Sequence, residues 1–372
     1  MCRRTPAPIR PSMKRILVTG SQGYLGSVLT PYLVQAGFDC LGYDAGFFEP
    51  CLLYPAVATP TARRDARDIT ESDLDGIDAV VHLAGISNDP MGKLDVSRIY
   101  DPTRSYSLAI ATLCKQRGVK FIFASSCSVY GLGGDELLTE TSATQPQTPY
   151  SLNKLQIEGD LRAIADDTFS PIALRFATVF GDSPRLRFDV VVNMLTGMAA
   201  SSGKIVLNSD GRSWRPNLHI LDVCRAVHRA IDLDYTGGDL LVLNIGDEAN
   251  NLPVIEIARI VQQSVPGCEL KYLADNPELD RDGLIGDRKV KSGVDTRTYK
   301  VSFARVKQVF PGFACEWTVA DGVRAMVARF QALGFDEQMF KRRGFYRLQE
   351  LEYLHGHGYL SDDLRWQQAR PA

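Results

Sequence analysis

The chain has 372 residues, of which 45% are hydrophobic and 23% charged, with a formal net charge of −2. That is the composition of a folded globular protein long enough for one large or two intimate domains. It gives no bulk electrostatic case for nucleic acid or a membrane surface. Eight cysteines form no CxxC pair and no Cys/His cluster. Structural zinc and a disulfide framework are therefore not expected, and a reducing, cytoplasmic setting is.

Residues 1–12 carry prolines and arginines without an apolar stretch. They read as a disordered leader rather than a secretory signal. Organised sequence begins at Lys14. RILVT (15–19) reads as a buried parallel strand, followed by glycines and a helix over 24–36. A second strand over 40–43 ends at Asp44. Strands over 78–83 and 120–124 flank a long helix over 96–117. A helix over 149–165 and a strand over 171–176 follow. Strands alternating with helices predict an α/β fold, a Rossmann-type doubly wound parallel sheet.

Beyond Gly181 the rhythm changes. Helices are expected over 189–201 and 253–265, and strands over 204–207 and 240–245. Residues 218–232 read as a strand passing into a helix. Residues 275–298 are polar and glycine-interrupted, a candidate active-site loop. Helices over 303–309 and 319–333 precede an aromatic, charged tail, 340–366, expected to pack as helix. The division expected is an NAD-binding domain over 13–180, its sheet completed by parts of 215–245. A smaller α/β substrate-binding region over 181–335 and a helical tail over 336–372 follow.

Thr19–Gly26 (TGSQGYLG) sits at the first strand-to-helix turn. Glycines there permit a tight turn and close backbone approach, and the helix start offers free N–H groups to a pyrophosphate. Gly20, Gly23, Tyr24, Leu25 and Gly26 are the candidate cradle. Asp44, at the end of the second strand, is placed to accept from ribose hydroxyls and to favour NAD over NADP. Asp68 and Ile69 are candidates to flank the adenine.

Tyr150 and Lys154 lie four apart, on one face of the expected helix. A phenol titrating near ~10 is a poor base until a neighbouring ammonium favours its ionised form. Ser126 follows the strand KFIFA, on the sheet edge where ligands bind. Together Ser126, Tyr150 and Lys154 suit proton transfer at an alcohol or ketone beside a nicotinamide. His82, His219 and His228 read as packing residues, Cys127 as shape, and Trp214 and Tyr130 as packing or ring contacts. His355 and His357 are too few to hold a metal.

These residues, with VVHLAG (80–85), FASSCSVYG (123–131), PYSLNK (149–154), ALRFATVFG (173–181) and WRPNLHILDV (214–223), resemble the extended short-chain dehydrogenases/reductases. The closest likeness is to the nucleotide-sugar epimerase/dehydratase group, over roughly residues 14–330. The resemblance implies NAD at the glycine turn and at Leu83, Ala84 and Gly85. It implies Ser126, Tyr150 and Lys154 as catalytic residues. It further implies a nucleoside-diphosphate sugar met by Ser128, Asn193, Arg215 and Arg288, and a homodimer built on helices 96–117 and 149–165.

Departures narrow the reading. Cys127 and Ser128 stand where sugar 4,6-dehydratases carry an Asp–Glu pair, which argues against that elimination. Thr103 replaces the family's helix asparagine, and Ala177–Thr178 lack the asparagine common in 4-epimerases. The expected activity is Tyr-mediated epimerisation or dehydrogenation, at C4 through a keto sugar. The alternatives are a 4-ketoreductase, or a reductase or dehydrogenase of non-nucleotide carbonyls.

Overall fold

The computed structural model describes residues 13–87, 95–272 and 298–368. In chain order, β1 (Arg15–Thr19) leads to α1 (Gly26–Gln35), β2 (Asp39–Asp44), β3 (Thr61–Arg63), β4 (Ala79–His82) and α2 (Val96–Arg117). Then come β5 (Lys120–Ser126), β6 (Leu132–Leu138), α3 (Pro149–Ile164), β7 (Ile172–Phe176), β8 (Thr178–Phe180), α4 (Val191–Ser202) and β9 (Lys204–Leu207). The second half carries β10 (Trp214–His219), α5 (Ile220–Asp232), β11 (Leu241–Ile245), β12 (Asn251–Pro253), α6 (Val254–Ser264) and β13 (Glu269–Tyr272). It closes with β14 (Thr298–Val301), α7 (Ala304–Val309), α8 (Val319–Leu333), α9 (Glu337–Phe340) and α10 (Arg347–Gly356).

Seven strands form one parallel sheet in the order β11-β7-β5-β4-β1-β2-β3. β4, β7 and β11 are buried along their whole length, and β1 after its first residue. Helices cover both faces, so these strands read as continuous apolar runs. The chain reverses direction of travel between β1 and β4, which opens a crevice at their C-terminal ends. One apolar cluster joins the sheet to α1 and α5, and another joins the opposite face to α2 and α3. A third lies among α4, α6 and α8 and carries the second half.

The ends of the two long helices are set by side chains. The Asp95 carboxylate accepts from the Ser97 N–H at the start of α2. Thr148 accepts from the Ser151 N–H at the start of α3, with Pro149 in the first turn.

Several short elements were not expected. β3 is three residues on the sheet edge. β6 is polar and pairs with the distant β14, a long-range match that alternation does not signal. β10 begins at Trp214 and joins β8 and β12 in a separate three-stranded sheet, so β11 alone of this region completes the large sheet. The tail is helical only to Gly356. It then turns into a tight clip, closed by a bridge between Leu360 and Trp366.

Candidate active site

The glycine turn is fixed by sterics. Gly20 has φ +74°, and a Cβ on it would meet the Ala84 nitrogen at 2.9 Å. A Cβ on Gly26 would fall on the Gly20 carbonyl oxygen and within 2.5 Å of the Ser21 Cα. Both glycines let α1 and the Ala84 backbone close on the loop. Gly23 differs: a Cβ there meets only the Gly20 oxygen, at 3.2 Å, and otherwise the open cleft.

That cleft has a volume of about 660 Å³ and runs from the C-terminal end of β2 across β1, β4 and β5 to β9 and β10. Gly20, Gly23, Tyr24, Leu25 and Gly26 line its floor, with Leu83, Ala84 and Gly85 beside them. The Asp44 oxygens accept from the Gln22 N–H at 2.8 Å and the Gly46 N–H at 2.7 Å. Burial lifts this carboxyl above its ordinary value, and the two backbone donors oppose the shift. A carboxylate has roughly four lone-pair sites, so it keeps capacity for ribose hydroxyls. Cradle, helix start and terminal carboxylate together fit a dinucleotide.

Asp68 and Ile69 do not line the cleft. Ile69 is buried in the core, and Asp68 takes an ion pair from Arg365 at 2.9 Å. Asp65, Ala66 and Arg67, three residues earlier, line this end instead. The short turn over Ala66–Asp68 rotates the expected pair away from it.

Ser126 ends β5, and Tyr150 and Lys154 share one face of α3; all three line the cleft. Lys154 is 6% exposed, and its Nζ donates to the Ala124 carbonyl at 2.7 Å. The Nζ lies 4.5 Å from the Phe123 ring centroid and 5.7 Å from that of Tyr150. Burial brings the Lys154 ammonium down to about 8, against a smaller upward pull from Glu158. The Ser126 Oγ accepts from the Ser128 N–H at 3.1 Å. The buried Ser128 Oγ lines the same cleft and has no hydrogen-bond partner among the described residues. A polar atom so placed suits a ligand hydroxyl.

One turn past Lys154, Glu158 pairs with Arg175 of β7 at 2.6 Å and accepts from the Ser125 Oγ at 2.5 Å. Arg175 donates to the Tyr130 hydroxyl at 2.9 Å, which donates to Asn244 of β11 at 2.8 Å. The Asn153 side chain donates to the Tyr100 carbonyl of α2 at 2.8 Å. These bonds lock α3 to the sheet and to α2, and so hold Tyr150 and Lys154 in place. Sequence reasoning gave Glu158 no role. Its position four residues after Lys154 was the available signal.

At the far end, Arg215 of β10 lines the cleft, 8% exposed, with one Nη donating to the Trp214 carbonyl at 2.8 Å. Asn193 does not reach the cleft. It is fully buried, donates to the Tyr24 hydroxyl at 3.2 Å and the Arg187 carbonyl at 3.0 Å, and accepts from the Gly181 N–H at 3.0 Å. Asn193 thus ties the glycine loop to the second half, while Val191 and Met194 on either side face the cleft. Arg187, unassigned from sequence, lines the cleft and pairs with Asp189 at 2.7 Å. Arg288, with nearly all of the 275–298 segment, lies outside the described residues.

The discounted residues have structural partners. His82 sits between Thr19 and Ser107 at 2.8 and 2.9 Å, brought down to about 3 by burial and then by the Lys154 charge. It is neutral at physiological pH. The Cys127 thiol donates to the Arg175 carbonyl, and burial pushes it up. His219 stacks on Trp317 at 4.1 Å. Among the described residues no group of three or more His, Cys, Asp or Glu could hold a metal, and no helix is long and apolar enough to cross a membrane.

Known proteins resemble this chain in sequence and in fold. Residues 16–246 match the model of the NAD dependent epimerase/dehydratase family. The UDP-glucose 4-epimerase of Azospirillum brasilense is 27% identical over 269 residues, covering 67% of this chain and 77% of its own. That of Bacillus subtilis is 26% identical, covering 69% and 84%. Among solved structures, an NAD-dependent NDP-hexosamine 5,6-dehydratase involved in tunicamycin biosynthesis superposes with a TM-score of 0.72 at 21% identity, over 86% of this chain and 98% of that one. The UDP-glucose 4-epimerase of Thermotoga maritima, solved with UDP-glucose, gives 0.69 at 21%, over 86% and 99%.

Proposed function

Because the chain belongs to the NAD-dependent epimerase/dehydratase family, we propose that it inverts a hydroxyl-bearing carbon of a nucleoside-diphosphate sugar, at C4 through a transient ketone. The observation that carries this reading is the joint exposure of Ser126, Tyr150 and Lys154 in one cleft, with the glycine turn at its base and Arg215 at its far end. The names of the curated relatives support the same chemistry.

NAD, when bound, supplies the reversible two-electron oxidation. The protein's own residues handle the proton and the pose. Tyr150, as phenolate, takes the proton of the sugar hydroxyl and later returns one. The Lys154 ammonium favours that phenolate. The Ser126 hydroxyl donates to the reacting oxygen, and Arg215 offers a guanidinium to a phosphate. Cys127 and Ser128 supply no acid–base pair for eliminating water, which favours inversion over dehydration. We also propose a homodimer through α2 and α3, which sedimentation tests.

The deciding experiment incubates the protein with UDP-, GDP-, CDP- and dTDP-sugars and follows both the sugar's NMR spectrum and the absorbance of reduced nicotinamide. A new isomer without net reduction is the expected result. Net reduction with a released ketone would assign a dehydrogenase instead, and inertness toward every nucleotide sugar would overturn the substrate class.

A further inference from the structure

The family model ends at residue 246. The C-terminal segment beyond α10 nevertheless reaches the cleft. Its clip is closed by Ser361 N–H to the Arg365 carbonyl at 2.9 Å, by Leu364 N–H to the Ser361 carbonyl at 2.8 Å, and by the Leu360–Trp366 bridge. At its tip, Leu364 has φ +57°, the one positive φ outside glycine among the described residues. A leucine in this region is strained, and such strain persists only where the surroundings impose it.

The surroundings here are two loops and the start of α2, at the Asp44 end of the cleft. Arg67, locked on the Asp65 carboxylate at 2.5 and 2.9 Å, donates to the Asp363 carbonyl at 2.6 Å and the Leu364 carbonyl at 3.1 Å. The Trp366 indole N–H donates to the Ala45 carbonyl at 2.6 Å, and its ring lies 5.7 Å from Phe47. Arg365 pairs with Asp68, and Asp362 pairs with Arg98 at the start of α2. Leu364, 4% exposed, packs with Leu351, Leu354 and Leu360 against Ile99 and Tyr100, while it and Asp363 line the cleft.

We propose that this clip, formed by residues beyond the span of the family model, walls the adenosine end of the cleft and slows the exchange of NAD there. The inference rests on the NAD reading of the glycine turn. Asp44 marks the adenosine end, and Asp65–Arg67, Phe47 and Leu364 line the cleft there. For the dinucleotide to leave past this wall, the Arg67, Arg365 and Trp366 contacts must break together and Leu364 must be exposed to water.

The test measures release of labelled NAD from the loaded full-length protein after a chase with unlabelled NAD. Wild type is compared with Leu364→Gly, Trp366→Ala and a chain ending at residue 357, with the thermal midpoint measured for each. Glycine suits the left-handed tip and removes only the side chain. Release at least about tenfold faster in Leu364→Gly and Trp366→Ala, beyond what any fall in the midpoint accounts for, is expected from the loss of the Leu364 packing and of the Trp366 contacts to Ala45 and Phe47. Should the shortened chain fail to fold, the two point variants carry the result. Release at the wild-type rate in both overturns the wall while leaving NAD binding intact. A wild-type chain that takes up no NAD overturns the wall and the cofactor reading together.

Discussion

The two ends of the cleft constrain their residues differently. At the glycine turn the backbone dictates identity: Gly20 needs a positive φ, and Gly26 has no space for a Cβ. At the other end, side chains from α3, β10 and the segment around Arg187 converge on the cleft. A site built from backbone constraints is written locally in the sequence, whereas one built from converging side chains is written only in the tertiary packing.

The sharpest way to probe that contrast is Tyr150→Phe. It removes one hydroxyl from the converging end and should lower kcat by about 10²–10⁴-fold with NAD still bound, measured by turnover and by cofactor content. A comparable activity in the variant would place the proton transfer elsewhere.

Glu158→Ala attacks the frame beneath that end. It leaves Arg175 buried without its carboxylate, so denaturant titration should show a loss of about 3–5 kcal/mol. A loss under about 1 kcal/mol would mean that the pair is not what holds α3 to the sheet.

Within the turn, two alanine substitutions should separate packing from binding. Gly26→Ala forces a Cβ into the Gly20 and Ser21 backbone, and should cost about 1–3 kcal/mol of stability along with NAD affinity. Gly23→Ala meets only one oxygen at 3.2 Å, so it should fold near normally yet bind NAD more weakly. Equal unfolding midpoints for the two would break the steric argument.

Asn193→Ala distinguishes a strut from a substrate contact. Removing its bonds to Tyr24, Gly181 and Arg187 should cost about 1–3 kcal/mol while changing KM little. A large rise in KM at unchanged stability would restore it to the substrate site.

A further effect is electrostatic. Burial lowers Lys154 from 10.5 to about 8, so between those values the unfolded chain binds more protons than the folded one. The Lys154 contribution to stability therefore rises with pH across that window. Lys154→Met should abolish this part of the pH slope in calorimetry.

This difference explains what the sequence made legible. The large sheet, its long helices and the glycine turn follow from apolar runs and turn chemistry, and TGSQGYLG and YSLNK supply residues that line one cleft. Asp68 and Ile69 fall outside the cleft lining because a short 3₁₀ turn presents Asp65, Ala66 and Arg67 there instead, which polarity does not signal. Asn193 is buried while Met194 lines the cleft, and one residue of helix rotation is beyond what the pattern resolves. The partly helical tail hid its clip, since a leucine in a left-handed turn has no sequence signature.

The most direct test of the account mixes NAD-loaded protein with the accepted nucleotide sugar and follows the absorbance of reduced nicotinamide within a single turnover. The account predicts a transient that appears and decays as the isomer forms, and that is absent in Tyr150→Phe. An isomer formed at the same rate by both proteins, with no transient in either, would contradict it.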